Sequence, residues 1–343
     1  MRRYGCNAGV RVRIVFVTQA LDPAHPVLGA TLAKVRALAA RADEVVVIAD
    51  SGVADELPDN CRVRTFAAPS QTARGARYLA ALGPELMERP VAVVAHMSPI
   101  FAVLAAPLTK PLGARLLLWF TQQGAGRTLH VAERVVDRVL TVDERSVPLR
   151  SAKVRAIGHG IDVAVPPCVP ERRPPLRRLL GLGRYSAVKG WDTALRALAE
   201  LPDATLSLHG PMLTDADRAE LPRLESVASA LDVRDRVTFG DEVPYVAVPQ
   251  LFGLADAVVN ATRGNSADKV VYEAAAACLP VFAASPVFDS LLPDALRFEA
   301  DDPGSLAERI RTYDGEDTRE IRARVERGHS VEHWADRVLE EAA

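Results

Sequence analysis

Residues 163–175 read VAVPPCVPERRPP, five prolines in thirteen residues, and this segment sets what the chain can fold into. Proline lacks a backbone N–H and has a fixed φ, so neither a helix nor a central strand runs through such a stretch. An interruption of this kind at mid-chain reads as an extended linker and a domain boundary. Length agrees with that reading, because 343 residues exceed one ordinary domain and fit two.

On both sides of the linker, short β-branched runs alternate with helical patterns. Residues 12–17 and 45–49 read as buried strands around a helical stretch at 30–41, and 91–95, 115–119 and 139–142 continue the series. After the linker come strands at 179–182, 205–209, 237–239, 257–260 and 281–284. Helices are expected from Trp191, near 218–231, from Lys269 and over 331–341. Alternation of this kind implies parallel sheets with helices on both faces. The expected fold class is α/β, with two doubly wound, Rossmann-like domains and a cleft between them. Ligands of open parallel sheets sit at the carboxyl ends of the strands. The apolar stretch 91–108 approaches membrane-spanning length, but His96, Ser98, Pro99 and Pro107 divide it into a strand and a short helix.

Composition narrows the class further. Hydrophobic residues make up 49% of the chain and charged ones 25%, enough for two cores in a soluble protein. Cys6, Cys61, Cys168 and Cys278 are scattered without a Cys-x-x-Cys pair, which argues against a disulfide framework or zinc site and for a reducing cytoplasm. The start, MRRYGCNAGVRVR, lacks the apolar core of a signal peptide. Residues 1–165 hold 21 Lys/Arg against 14 Asp/Glu, and the remainder holds 21 against 30. A basic first half admits peripheral contact with an anionic membrane or a phosphorylated acceptor, or is simply an arginine-rich surface. No basic block interleaved with aromatics points to nucleic acid.

Two segments of the second half carry the chemistry: GLGRYSAVKG at 181–190 and NSADKVVYEAAAACLPV at 265–281. The first puts Arg184 and Lys189 on a loop between a strand and a helix. The second puts Asp268 and Lys269 where a loop becomes a helix, with Glu273 one turn inside. Fixed cations beside a helix N-terminus suit a diphosphate, because free N–H groups and the positive dipole end both favour anions. A carboxylate one turn further in can accept hydrogen bonds from sugar hydroxyls. Together these residues describe a nucleotide-sugar site. Asp215-Ala216-Asp217 has the form of an Asp-x-Asp metal motif, but after Thr214 it reads as helix capping. Asp268 is open to the same question, site residue or helix cap.

The pattern Gly-Arg, five residues to Lys-Gly, then Glu-Ala and Pro-Val resembles the retaining glycosyltransferases of family 4, which have the GT-B fold. VTQALDPAHPVLG at 17–29, AHMSPI at 95–100, LLLWFT at 116–121 and SAKVRAIGHGID at 151–162 extend the likeness to one bacterial branch of that family. That branch tends to carry Gly-Ser-x-Asp-Lys-Val-Val-x-Glu, which residues 264–273 nearly reproduce with Asn265 inserted.

The resemblance implies an acceptor-side domain over 1–165, a donor-binding domain over 176–328, and a final helix at 329–343 crossing back to the first domain. It implies transfer of a sugar from a UDP- or GDP-linked donor to a small-molecule, glycan or lipid-linked acceptor, with no further cofactor and no metal. Arg184 and Lys189 would hold the diphosphate, Glu273 the ribose, and Asn265, Ser266, Asp268 and Lys269 the donor sugar and phosphate. Retention by front-face attack, assisted by the leaving phosphate, needs no protein nucleophile.

Several positions depart from the family pattern or admit two readings. Asn265 stands where the family commonly has the first Glu of its Glu-x7-Glu motif, Gln122 where it usually has His, and Cys278 where it usually has Gly. Gln122 can still orient an acceptor hydroxyl, and Cys278 reads as small-residue packing. Gly29 lets the backbone approach a ligand or serves a turn. His96 is an acceptor contact or a core histidine, and His159 reads as a turn residue. Other classes are an epimerase or coupling enzyme on the same fold, or a non-catalytic nucleotide-binding protein, which turnover of a nucleotide-sugar would separate. A Rossmann oxidoreductase would want Gly-x-Gly-x-x-Gly after the first strand, and neither half has it.

Overall fold

The computed structural model describes residues 11–52, 57–124 and 126–343. Cys6 and the start of the chain lie outside the described residues. The chain divides into two compact units, Met1–Gly160 with Gly328–Ala343, and Ile161–Arg327.

In the first unit, strands β1 (Arg13–Ala20), β2 (Glu44–Ser51), β3 (Cys61–Thr65), β4 (Ala92–His96), β5 (Arg115–Trp119), β6 (Arg138–Thr141) and β7 (Val154–Ala156) form one parallel sheet. Its order is β3-β2-β1-β4-β5-β6-β7. Helices α1 (Thr31–Ala39), α2 (Gln71–Met87), α3 (Pro99–Thr109) and α4 (Arg127–Val135) connect the strands.

In the second unit, β8 (Arg178–Leu182), β9 (Thr205–His209), β10 (Val237–Gly240), β11 (Ala257–Asn260) and β12 (Val281–Ala283) form a second parallel sheet, ordered β10-β9-β8-β11-β12. Its helices are α5 (Trp191–Ala199), α6 (Asp215–Ala230), α7 (Val248–Leu254), α8 (Lys269–Ala276), α9 (Pro303–Arg311) and α10 (Thr318–His329). The last helix, α11 (Val331–Ala342), falls within the first unit. Among the described residues, no helix is long and apolar enough to cross a membrane.

Each sheet has one point where the strand order reverses, between β1 and β4 in the first and between β8 and β11 in the second. Loops leaving two such strands diverge to opposite faces and open a crevice at their carboxyl ends. The two chemistry-bearing segments lead out of β8 and β11, the pair that flanks the second reversal.

The central strands are buried along their apolar runs, with exposure confined to the polar residues Gln19, Asp50 and Ser51 near the carboxyl ends of β1 and β2. Strand β3 was not evident in the sequence. CRVRT lies at the sheet edge and is mostly exposed, so no buried face imposes an apolar pattern on it. Strand β1 also carries a buried charge. The Arg13 guanidinium donates to Glu44 at 2.9 Å and to the Glu85 carbonyl at 2.6 Å, and pairs with the Glu85 carboxylate. A buried charge is tolerated only when paired and hydrogen-bonded in this way.

Helix α11 closes the other side of that sheet. Trp334 packs edge-on against Trp119 at 5.9 Å and Phe16 at 6.4 Å. The buried Lys34 donates to the Gly160 carbonyl at 3.2 Å and lies 5.7 Å from the Trp334 ring. Its ammonium is thereby satisfied by a carbonyl and an aromatic face.

The cysteines correct the sequence expectation. Cys168 and Cys278 form a disulfide, their Cα atoms 5.0 Å apart, and Cys61 is free. The linker runs past the end of α8, where Val169 N–H donates to the Ala277 carbonyl at 2.8 Å, and so delivers Cys168 to Cys278. The two are 110 residues apart in sequence, so spacing alone gave no sign of the pairing. Cys278 also has φ +58°, the left-handed conformation in which helices commonly end and which glycine adopts most easily.

Two expectations follow. A link closing so long a loop restricts the unfolded chain, so Cys168→Ser should lower stability by about 2–4 kcal/mol. Dithiothreitol should lower the melting temperature of the parent and leave that of Cys168→Ser unchanged. The second concerns His329, whose imidazole is pushed down to about 4 by burial and by the neighbouring His333, against a smaller opposing effect of Asp143. Between its ordinary 6.5 and that value, the unfolded chain takes up a proton that the native state refuses. The contribution is therefore complete above 6.5 and lost as pH falls toward 4. Urea titrations at pH 7 and 4.5 should show His329→Gln losing roughly 1–3 kcal/mol less than the parent over that interval.

Candidate active site

The loop after β8 is built from the backbone outward. Gly183 N–H donates to the His209 carbonyl at 2.9 Å, and the buried Tyr185 hydroxyl shares its one proton between the carbonyls of Leu208 (2.9 Å) and Gly240 (2.8 Å). Trp191 Nε1 donates to the Arg184 carbonyl at 3.0 Å. A short 3-10 turn, Ala187–Lys189, ends at Gly190 with φ +64° and starts α5. Gly190 lies so close to the Ala261 carbonyl that a Cβ would collide with it. Glycine is therefore required twice there, for the dihedral and for the close approach.

That approach brings the β8 and β11 loops together, and Arg263 laces them. Its N–H donates to the Val188 carbonyl at 2.8 Å. Its guanidinium reaches the Ala187 carbonyl, Asp192 at 3.1 Å and Asp301 at 2.6 Å.

At the centre is Asp268. Its Oδ2 accepts from Lys189 Nζ at 2.7 Å, Asn260 Nδ2 at 2.8 Å and Thr262 Oγ1 at 2.5 Å, and its Oδ1 accepts from Ser266 Oγ at 2.8 Å. Burial alone would raise this carboxyl's pKa, but the Lys189 charge and the hydrogen bonds from Asn260, Lys189 and Thr262 outweigh it. The carboxyl is held well below the usual carboxylate range. Asp268 occupies the position before α8, yet its side chain makes no capping bond. The capping reading is thus set aside: the carboxylate faces the β8 and β11 loops, where its donors lie, and the N-terminus of α8 has no side-chain cap.

One turn further along α8, Lys269 Nζ lies 3.4 Å from Glu273 Oε1 and 4.0 Å from the centre of the Tyr245 ring. Neither Lys269 Nζ nor Glu273 Oε1 has a hydrogen-bond partner, and both are buried, as are the unpartnered Ser186 Oγ and Asn260 Oδ1. Burial and the Glu273 charge push the Tyr245 hydroxyl well above its usual range, so it keeps its proton as a donor. Arg184 is the exposed cation of the set. Its side chain is 42% exposed and lies 3.8 Å from Asp217. Asn265 and Ser266 are half-buried on the loop that enters α8.

Asp217 belongs to a capping box at the start of α6: Thr214 Oγ1 accepts from Asp217 N–H at 3.1 Å, and Asp217 Oδ2 accepts from Thr214 N–H at 3.1 Å. Asp215 pairs with Arg218 at 2.7 Å. The Asp-x-Asp pair is thus engaged in holding the helix. Among the described residues, no three His, Cys, Asp or Glu side chains gather into a metal-binding group.

In the first unit, the candidates lie along the carboxyl edge of the sheet. Gly29 is buried in the loop between β1 and α1, its N–H donating to the His25 carbonyl at 2.8 Å. That loop is folded on itself by His25 Nδ1, which accepts from Val27 and Leu28 N–H at 3.1 Å each. Helix α1 begins without a side-chain cap, and Thr31 Oγ1 is buried without a hydrogen-bond partner. His96 ends β4, buried, with Nδ1 3.3 Å from Thr18 Oγ1 and its ring 5.3 Å from Phe16. This is the environment of a core histidine. His159 is buried against Trp119, ring centres 6.3 Å apart, rather than exposed on a turn. Gln122 is exposed after β5. Thr262 and Tyr245 escaped the sequence reading. Thr262 sits two residues beyond β11, where polar residues end an apolar run, but nothing in the sequence around Tyr245 marks it.

No curated protein matches the sequence. Residues 171–312 match the family model described as Glycosyl transferases group 1. By that domain the chain is a glycosyltransferase. Solved structures resemble it over nearly the whole length. Sucrose-phosphate synthase from Thermosynechococcus elongatus is 17% identical, with TM-score 0.73 over 96% of this chain and 98% of that one. Anabaena HepE in complex with UDP is 18% identical, with TM-score 0.75 over 96% and 99%. A glycosyltransferase from Rickettsia africae is 14% identical, with TM-score 0.72 over 97% and 98%. These likenesses establish the fold, an α/β chain with two parallel sheets matching GT-B glycosyltransferases.

The Gly190 geometry gives a direct test. Gly190→Ala adds a Cβ at a left-handed dihedral against an immovable carbonyl, so stability should fall by about 2 kcal/mol or more in a urea melt.

Proposed function

We propose that this glycosyltransferase is a retaining enzyme of family 4 that transfers a sugar from a UDP- or GDP-linked donor to an acceptor hydroxyl without a metal ion. The reading is supported by Lys189, which meets the residue before α8 at the β8/β11 reversal, and by the N-terminus of α8, which has no side-chain cap, with Arg184 exposed on the same β8 loop. Charge develops on the leaving diphosphate as the glycosidic bond breaks. Fixed cations and helix N–H groups stabilise that charge without rearranging. Glu273 has a buried acceptor oxygen without a hydrogen-bond partner, suited to ribose hydroxyls. On this reading Asn265 and Ser266, half-buried on the loop that enters α8, contact the donor sugar. HepE, solved with UDP-glucose, supports a nucleotide-sugar donor.

On this reading Gly29 lets the backbone approach a ligand, and Gln122 orients the acceptor hydroxyl. Attack from the same face as the leaving phosphate, with that phosphate taking the proton, gives retention with no protein nucleophile. The acceptor is a small molecule, a glycan or a lipid-linked hydroxyl. The basic first half offers peripheral contact with an anionic membrane surface.

Purified protein incubated with a panel of UDP- and GDP-sugars tests this reading, with EDTA expected to leave the rate unchanged. Arg184→Ala and Lys189→Ala should each lower turnover about 100-fold while the protein stays folded. Glu273→Gln should weaken nucleotide binding about tenfold, the scale of one charge-assisted hydrogen bond. Parental turnover in both cation variants would remove the diphosphate assignment, and a strict need for magnesium would remove the metal-independent mechanism.

A further inference from the structure

Four donors converge on the Asp268 carboxylate, which lies almost fully enclosed among them. A carboxylate offers about four lone-pair directions, so little acceptor capacity remains for a ligand. It makes no capping bond to α8, and its charge would repel a phosphate. The arrangement instead addresses Lys189. A lysine ammonium sits on a flexible four-carbon stem, and on a short turn it has many positions to occupy. Here Asp268 takes one of its three N–H directions at 2.7 Å and leaves the others available. Asn260, Thr262 and Ser266 in turn hold the carboxylate, so the ammonium is fixed relative to the end of β11 rather than to its own loop.

We propose that Asp268 is a positioning residue for Lys189, which fixes the ammonium at the β8/β11 reversal and offsets its charge so that the nucleoside diphosphate product can leave. The proposal rests on the reading that Lys189 contacts the diphosphate of the donor. It has a consequence that a merely structural carboxylate would not. Neutralising Asp268 should strengthen the electrostatic hold on the nucleotide while degrading the geometry that serves turnover. Affinity and rate should therefore move in opposite directions.

The test measures nucleotide affinity by calorimetry and turnover of the accepted donor sugar, using UDP or GDP, whichever the parent binds more tightly. Asp268→Asn should bind that nucleotide at least fivefold more tightly and turn over at least tenfold more slowly. Asp268→Glu, which keeps the charge and displaces it, should slow turnover with nucleotide affinity within twofold of the parent. In a Lys189→Ala background, adding Asp268→Asn should change turnover by less than twofold, because the residue through which Asp268 acts is gone. Nucleotide binding unchanged or weakened by Asp268→Asn would overturn the proposal. An undiminished turnover loss in the Lys189→Ala background would do the same. Should Asp268→Asn fail to fold, Thr262→Val carries the test: turnover at least threefold lower with affinity unchanged supports the proposal, and parental turnover overturns it. Parental turnover in Lys189→Ala alone would remove the diphosphate reading itself, an outcome distinct from either.

Discussion

The reversal of strand order between β8 and β11 is the constraint on which the candidate site of the second unit depends. Parallel strands send their connections to one face or the other, and only at a reversal do two neighbouring loops part and leave a crevice. The sheet places these two loops side by side, and the sequence then binds them. Gly190 admits the Ala261 carbonyl, Arg263 joins both loops to Asp192 and Asp301, and Asp268 reaches from one loop to Lys189 on the other. None of these contacts is local in sequence. Each is available only because the strand order has already set the distance.

Two buried carboxylate systems show the same physics put to different ends. Glu44 and Glu85 surround Arg13 at the start of β1, away from the carboxyl edge of the first sheet, with Arg62 and Arg64 completing the set. Every charge there meets another charge, and the network ties β1 to β2, β3 and α2. Asp268 lies at the opposite, carboxyl end of its sheet, where it meets one cation and three neutral donors. Breaking a buried pair leaves an uncompensated charge in either place. What differs is position along the strand rather than the ion pair itself: one network lies at the amino end of its sheet, and the other at the carboxyl end, where ligands of open parallel sheets sit.

Much of the fold was legible because its information is local. Continuous apolar runs mark β1, β2, β4 and β5, and proline density marks the linker. The motif pair at 181–190 and 265–281 identified the loops that the sheet brings together. What escaped depends on distance through space. Cys168 meets Cys278 only because the linker passes the end of α8, so a reading based on cysteine spacing missed the bond. Asp268 stands at a helix start, so the sequence left it open between helix cap and site residue, and only the tertiary fold shows its side chain turned toward Lys189. Tyr245 faces Lys269 across two loops with no pattern joining them in sequence. Strand β3 shows the complementary limit, since an exposed edge strand has no buried face to impose a pattern.

Several buried polar atoms in the described part of the second unit have no hydrogen-bond partner. Native proteins rarely bury a polar atom unpaired, because each such atom carries an uncompensated desolvation cost. Ser186 Oγ, Asn260 Oδ1, Lys269 Nζ and Glu273 Oε1 are all buried without a hydrogen-bond partner, and they come from the β8 loop, the end of β11 and the first two turns of α8. Both donors and acceptors are represented. Lys269 Nζ and Glu273 Oε1 lie 3.4 Å apart and offset one another's charge without a hydrogen bond, so their burial is compensated electrostatically. Ser186 Oγ and Asn260 Oδ1 have no such counter-charge, and under the proposed function a hydroxyl and an amide oxygen of this kind suit the hydroxyl groups of a bound sugar.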